Sequence, residues 1–201
     1  MKWAAQFTKD EVLKYQSDLN SDNNRKMATY SRELRRIEDI VHLKNITPNS
    51  KTVLCAGARD DSEVQTFINK GYDAIGIDVC IETELIKKLD ISELTPEFGS
   101  FDIIYCSHVL EHVMDPIKTM KAIKSVCNDT IFIILPIIDR PPDIEHPTVY
   151  EIMKYEPETN FKDYPQAWDD FVTLTPSRIT YNCYRNGSTD DYEVAFAIQL
   201  R

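Results

Sequence analysis

The chain has 201 residues, 42% of them hydrophobic and 10% aromatic, which is enough for one core and too few for two filled cores with a linker. Its 23 Lys and Arg against 33 Asp and Glu give a formal net charge of −10, a field that repels phosphate backbones and anionic bilayers, so neither nucleic acid nor membrane is an expected partner. No apolar run approaches the roughly 20 residues of a membrane span, and residues 1–10 lack the charged-then-apolar order of a signal peptide. The five cysteines, odd in number and without C-x-x-C spacing, fit neither a disulfide framework nor a thiolate zinc site. A cytoplasmic protein with reduced thiols is therefore expected.

The first fifty residues read as helical. Thr8 and Glu11 have the spacing of a capping box, which starts a helix running to Leu19, and Ser21-Asp22-Asn23-Asn24 breaks it. Over residues 25–43, Met27, Tyr30, Leu34, Ile37, Ile40 and Val41 recur three or four apart, which predicts an amphipathic helix lying on the rest of the chain. After the turn at Thr47-Pro48-Asn49-Ser50 the rhythm changes to short apolar runs alternating with helical stretches. Strands are expected at Thr52–Ala56, 74–77, 84–88, 101–106 and 130–135, and helices at 63–69 and Pro116–Val126, with Gly71 at a left-handed helix stop. Continuously apolar strands between helices indicate a parallel sheet covered on both faces. The expected class is α/β, a doubly wound, mostly parallel Rossmann-like sheet.

Residues 178–184 and 192–200 read as two antiparallel strands joined through a turn at Arg185-Asn186-Gly187-Ser188. Between strand five and this hairpin lies a connection, residues 139–177, with short helical pieces expected at 149–155 and 166–171. Connections of that length in a compact domain are usually functional. The organisation is thus a single domain over residues 1–201: a helical cover at 1–50, a core at 51–136, an acceptor-side connection at 137–177 and the hairpin at 178–201.

In open α/β sheets ligands sit beyond the carboxyl ends of the strands. After the first core strand comes Ala56-Gly57-Ala58-Arg59-Asp60-Asp61-Ser62-Glu63, where a glycine permits close backbone approach and a helix follows at once. Asp60, Asp61 and Glu63 crowd the helix start and disfavour a dinucleotide pyrophosphate, yet they tolerate a cofactor whose reactive end is a sulfonium cation. Asp60 and Glu63 as plain helix caps are the competing reading. The second strand ends in Asp78, placed to accept both hydrogens of a ribose diol, and Asp90 after the third strand faces either an adenine amino group, with Ile91 against the ring, or a turn of its own.

The runs Val53-Leu54-Cys55-Ala56-Gly57-Ala58-Arg59, Gly71-Tyr72-Asp73-Ala74-Ile75-Gly76-Ile77-Asp78 and Phe101-Asp102-Ile103-Ile104-Tyr105-Cys106-Ser107-His108-Val109-Leu110-Glu111-His112-Val113 carry a family resemblance. Residues 51–136 resemble the core of class I S-adenosylmethionine-dependent methyltransferases, of the methyltransferase type 11 kind. The resemblance implies S-adenosylmethionine as cofactor. It makes Ala56, Gly57 and Ala58 the seat of the methionine part, Asp78 with Val79 the ribose contact, Asp90 with Ile91 the adenine neighbour, and Ser107 with His108 a wall beside the sulfonium. Three positions depart from the family pattern: Cys55 stands for an acidic residue, and Arg59 and Asp61 stand where further glycines are common.

The stretch from His108 to His112 also matches H-x-x-E-H, the inverted zinc-protease signature, but it follows a strand directly, so no metal is expected. Base candidates for an ionisable acceptor are His108, His112, Asp139 and His146, with His108 and His112 taken as the catalytic pair. Tyr150, Tyr155, Phe161, Tyr164 and Trp168 supply either an acceptor wall or packing for the N-terminal helices. The expected activity is methyl transfer to a small-molecule or sugar-like acceptor. The alternatives are a non-catalytic methyltransferase-like binding or scaffold protein, motivated by Cys55, Arg59 and Asp61, and a nucleotide-sugar or dinucleotide enzyme, disfavoured by the acidic helix start.

Overall fold

The computed structural model describes residues 2–3, 8–20, 29–136, 148–149, 178–186 and 192–200. In chain order these form β1 (Lys2–Trp3), α1 (Lys9–Asn20), α2 (Thr29–Ile46), β2 (Thr52–Ala56), α3 (Asp61–Asn69), β3 (Asp73–Asp78), β4 (Ile86–Lys88), β5 (Phe101–Ser107), α4 (Pro116–Val126), β6 (Cys127–Pro136), β7 (Thr148–Val149), β8 (Arg178–Asn186) and β9 (Tyr192–Gln199). The expected capping box at α1 is formed: the Thr8 amide donates to Glu11 Oε2 at 2.8 Å, and the Glu11 amide donates back to Thr8 Oγ1 at 3.3 Å.

The main sheet runs β4-β3-β2-β5-β6-β9-β8. Strands β2 to β6 pair in parallel, and β9 lies antiparallel to both β6 and β8. This is the doubly wound, mostly parallel sheet expected from the apolar runs, closed by the expected antiparallel pair. Arg185 and Asn186 extend β8 rather than turning, and Gly187 and Ser188 lie outside the described residues.

Alternation along each strand sends its residues to two cores. Leu54, Ile104, Cys106, Ile131 and Ile133 pack with Leu110, Met120 and Ile123 on the face covered by α4. Val53, Cys55, Ile103, Tyr105, Phe132 and Ile134 pack with Ile40, Leu43, Val64 and Phe67 on the face covered by α2 and α3. On that second face the rings of Phe67 and Tyr105 meet edge-on with centroids 5.0 Å apart, and Tyr105 stacks on Phe132 at 5.7 Å. Asp102 ties the amino ends of β2 and β5 together by accepting from the Lys51 amide at 2.7 Å and the Thr52 amide at 3.1 Å. That leaves the opposite, carboxyl edge for chemistry.

Several boundaries moved. β4 begins at Ile86, because Thr83 Oγ1 accepts from the Leu85 and Ile86 amides and holds the approach in a turn. β6 begins at Cys127, directly where α4 stops. The helical piece expected at 149–155 does not begin at Val149: Thr148 and Val149, both β-branched, pair antiparallel with Trp3 and Lys2. The remainder of that piece, the piece expected at 166–171 and the helical expectation for residues 25–28 lie outside the described residues.

Candidate functional site

The site is built at the carboxyl edge from the residues that follow β2, β3, β4 and β5. After β2 the chain turns at Gly57, whose φ of +76° lies in the left-handed region, and an added Cβ there would collide with Val109 Cγ2. Glycine is therefore required both by backbone conformation and by the valine seated against it. The Gly57 and Ala58 amides donate to the Ile77 carbonyl at 2.8 and 3.0 Å, which fastens the loop to the end of β3. These two donors are thus engaged within the protein.

Asp78 closes β3. Its Oδ1 accepts from the Cys80 amide at 2.7 Å and the Ile81 amide at 3.0 Å, an Asx turn that orients the carboxylate, and neither bond falls on Oδ2. Burial pushes the Asp78 carboxyl above its usual range, against the pull of those amides and of the Arg59 charge. Val79 follows, half-buried, in the same turn.

Asp90 takes the turn-starting role: Oδ1 accepts from the Ser92 amide at 2.8 Å and caps the short helical turn at Ile91–Glu93, in which Ile91 is buried. Its Oδ2 lies 2.5 Å from Lys9 Nζ on α1. Burial raises the Asp90 carboxyl, but the Lys9 ammonium and the Ser92 amide outweigh that and hold it low. Asp90 therefore already carries a cationic partner from the N-terminal cover.

Asp60, not Glu63, caps α3, through the Ser62 amide at 2.9 Å and the Ser62 hydroxyl. Glu63 instead turns inward. Its Oε2 lies 3.6 Å from Arg36 Nη2 on α2, and its Oε1, buried, accepts no hydrogen bond among the described residues. Desolvation raises the Glu63 carboxyl to about 7, with Arg36 opposing and Asp60 and Asp39 reinforcing the rise. Beside it, Tyr105 Oη donates to Asp39 Oδ2 at 2.9 Å. Glu63, Arg36 and Asp39 form a buried polar group that the sequence reading missed. A signal was present: Glu63 stands four residues before Phe67, on the helix face that packs on the sheet.

Ser107 ends β5, and His108 follows with φ of +55°, a left-handed non-glycine residue held by its amide donating to the Ile134 carbonyl at 3.0 Å. Leu110–His112 forms one short helical turn, so the H-x-x-E-H stretch is not an α-helix with two histidines on one face. The histidines flank Glu111 instead, with His108 Nδ1 at 3.4 Å and His112 Nε2 at 3.9 Å from Glu111 Oε1. Among the described residues no group of three or more His, Cys, Asp or Glu side chains is arranged to hold a metal ion. Asp139 and His146 lie outside the described residues, as do the five aromatic residues of the long connection.

The strand order, the glycine turn after β2 and the aspartate closing β3 define a class I methyltransferase fold. A methyltransferase-domain family model matches residues 21–165, and the chain belongs to that family. No curated protein matches the sequence significantly. The chain is similar to the 1,6-didemethyltoxoflavin-N1-methyltransferase of Burkholderia thailandensis, solved with 1,6-didemethyltoxoflavin and S-adenosylhomocysteine. The two share 14% identity at a TM-score of 0.65, with 93% of this chain and 89% of that one covered. It is also similar to an N-methyltransferase from Bradyrhizobium japonicum bound to S-adenosylhomocysteine, at 9% identity and TM-score 0.63, covering 94% and 98% of the two chains. The magnesium protoporphyrin IX methyltransferase of Synechocystis, also with S-adenosylhomocysteine, gives 12% identity and 0.61, covering 90% and 88%. At these identities the likeness is one of fold.

No helix among the described residues is long and apolar enough to cross a membrane.

Proposed function

We propose that this chain is an S-adenosylmethionine-dependent methyltransferase acting on a small-molecule or sugar-like acceptor. The observation that carries the reading is Asp78: a desolvated carboxylate at the end of β3, beside the Gly57 turn, oriented through Oδ1. Oδ1 is taken by the two amides, so Oδ2 is the oxygen left to accept from the hydroxyls of a vicinal diol. This acceptor fits the ribose of the cofactor's adenosine half. Ile91 supplies an apolar surface for the adenine, and Val79 flanks the ribose. Gly57 and its neighbours Ala56 and Ala58 border the methionine part by close approach, since the Gly57 and Ala58 amides already serve Ile77. Ser107 and His108 wall the reactive end.

When bound, this cofactor supplies a methyl group carried on a sulfonium sulfur. The protein's own task is to hold the acceptor in line and exclude water, which supplies most of the acceleration in transfers of this kind. His108 and His112, on the turn after β5, are the groups assigned to take a proton from an ionisable acceptor.

A second reading, a cofactor-binding or scaffold protein without turnover, is favoured by one feature: the Arg59 charge acts on Asp78 where the family usually has a glycine. Calorimetric titration with S-adenosylmethionine and S-adenosylhomocysteine tests the main reading. Binding by wild type, weakened in Asp78→Ala, is the expected result. Silence at millimolar cofactor defeats the enzyme assignment.

A further inference from the structure

The turn after β5 contains a group for which the reading above has no use. Glu111 is 1% exposed, and neither of its carboxylate oxygens accepts a hydrogen bond among the described residues. A buried carboxylate without donors is unfavourable unless opposite charge stands close. The close groups are the two imidazoles, at 3.4 and 3.9 Å from the same oxygen. The shorter separation is an ion-pair distance rather than a formed hydrogen bond, the looseness common in sites without their ligands. His108, by contrast, is exposed over 40% of its side chain. Its left-handed backbone is an arrangement that persists only where the surroundings over-determine it, and such residues cluster at functional sites. One end of the pair is therefore buried, and the other is exposed on the turn at the carboxyl edge of the sheet.

We propose that Glu111 is a positioning residue for His108: its buried carboxylate accepts Nδ1–H and so presents Nε2 as the proton acceptor toward an N–H or O–H substrate. This rests on the methyltransferase reading above. In a neutral imidazole, the nitrogen that carries the proton is set by the hydrogen bond its partner makes, and an anion fixed at Nδ1 leaves the lone pair on Nε2. The acceptor's proton passes to Nε2, and its bonding pair stays on the acceptor atom for the new bond to carbon. The sulfur of the cofactor retains the pair of the bond that breaks and becomes a neutral thioether. The imidazolium left on His108 then faces the Glu111 carboxylate. Burial would push that carboxyl up, but His108 and then His112 outweigh it and keep it below its usual range, so it is ionised at neutral pH. Among the described residues the other titratable groups facing the pair are His112 on the same turn, Cys106 on β5, and Glu63 on α3, whose charge acts on His108.

The test uses the full chain with nitrogen-15 histidine, in long-range nitrogen–proton correlation spectra at pH 8, with the His108 signals assigned by their loss in His108→Asn. The expected result is a wild-type His108 held as the Nδ1–H tautomer, and a Glu111→Met variant in which the Nε2–H form gains at its expense. A role for Glu111 in folding alone would not set the tautomer. Calorimetry with S-adenosylhomocysteine is run alongside, and Glu111→Met is expected to bind it within about threefold of wild type. Wild-type His108 found mainly as Nε2–H, or a tautomer unchanged in Glu111→Met, overturns the proposal even where the cofactor product binds. Absence of that binding in wild type overturns the methyltransferase reading instead. Should Glu111→Met fail to fold, the wild-type tautomer alone decides.

Discussion

At the scale of single residues, two carboxylates with opposite assignments show how environment divides labour. Asp78 is oriented by two amides on one oxygen. Hydrogen bonds to charged groups contribute about 1.5–3 kcal/mol, so Asp78→Asn should weaken S-adenosylhomocysteine binding by about 10-fold or more while far-ultraviolet circular dichroism is unchanged. Glu63, like Asp78, is raised chiefly by burial, and it reaches about 7, compared with an ordinary value of 4.5. A carboxyl raised in the folded state favours folding while it is protonated and loses that contribution as pH climbs through the folded value. Its contribution is therefore whole below about pH 4.5 and disappears between there and about 7. Glu63→Gln, which cannot ionise, should gain in melting temperature relative to wild type as pH rises from 5 to 8. A wild-type-minus-variant difference that stays flat over that range would contradict the burial of an ionisable Glu63.

At the scale of elements, close packing at the carboxyl edge leaves little room for side-chain growth. A Cβ on Gly76 in β3 would stand 2.9 Å from Ala58 Cβ, Ile86 Cγ1 and Val64 Cγ2, which belong to three different segments. None of these is the loose end of a flexible chain, so Gly76→Ala should cost about 1–3 kcal/mol by overpacking, measurable as a lower urea midpoint. The start of α3 depends on Asp60, and Asp60→Ala should remove about 1 kcal/mol from the same midpoint. The α1 helix has its own attachment, Lys9 on Asp90. This pair is half exposed at Lys9, so its energetic weight is small.

For the whole molecule, the sheet is held between two cores of different character. The α4 side is almost wholly aliphatic, whereas the α2 and α3 side adds an aromatic column and the Arg36, Asp39 and Glu63 group. Leu43, fully buried, anchors α2 to that second side. Leu43→Ala should cost about 2–5 kcal/mol through lost transfer energy and a residual cavity, lowering the melting temperature by about 4–20 °C in a domain of this size. Because Arg36 and Asp39 ride on α2, loosening that helix also removes the charges that face Glu63 and Tyr105. The N-terminal cover is therefore part of the core, and it reaches the functional edge through its side chains.

Much of the framework was legible in the sequence because periodicity is a local property. Apolar runs marked β2, β5 and β6, capping residues marked α1, and the helix expected at Pro116–Val126 is α4. The place of Gly57 and Asp78 at one edge follows from a parallel sheet alone. The tertiary structure decided which charges meet. Lys9 stands on Asp90, Arg36 on Glu63, and Glu111 between two histidines. It also committed the Gly57 and Ala58 amides to Ile77. Such pairings join residues far apart in the chain, or depend on one left-handed φ, and no local pattern of polar and apolar residues encodes either. They arise only when strand register and helix packing bring the partners within reach and exclude the water that would otherwise serve them.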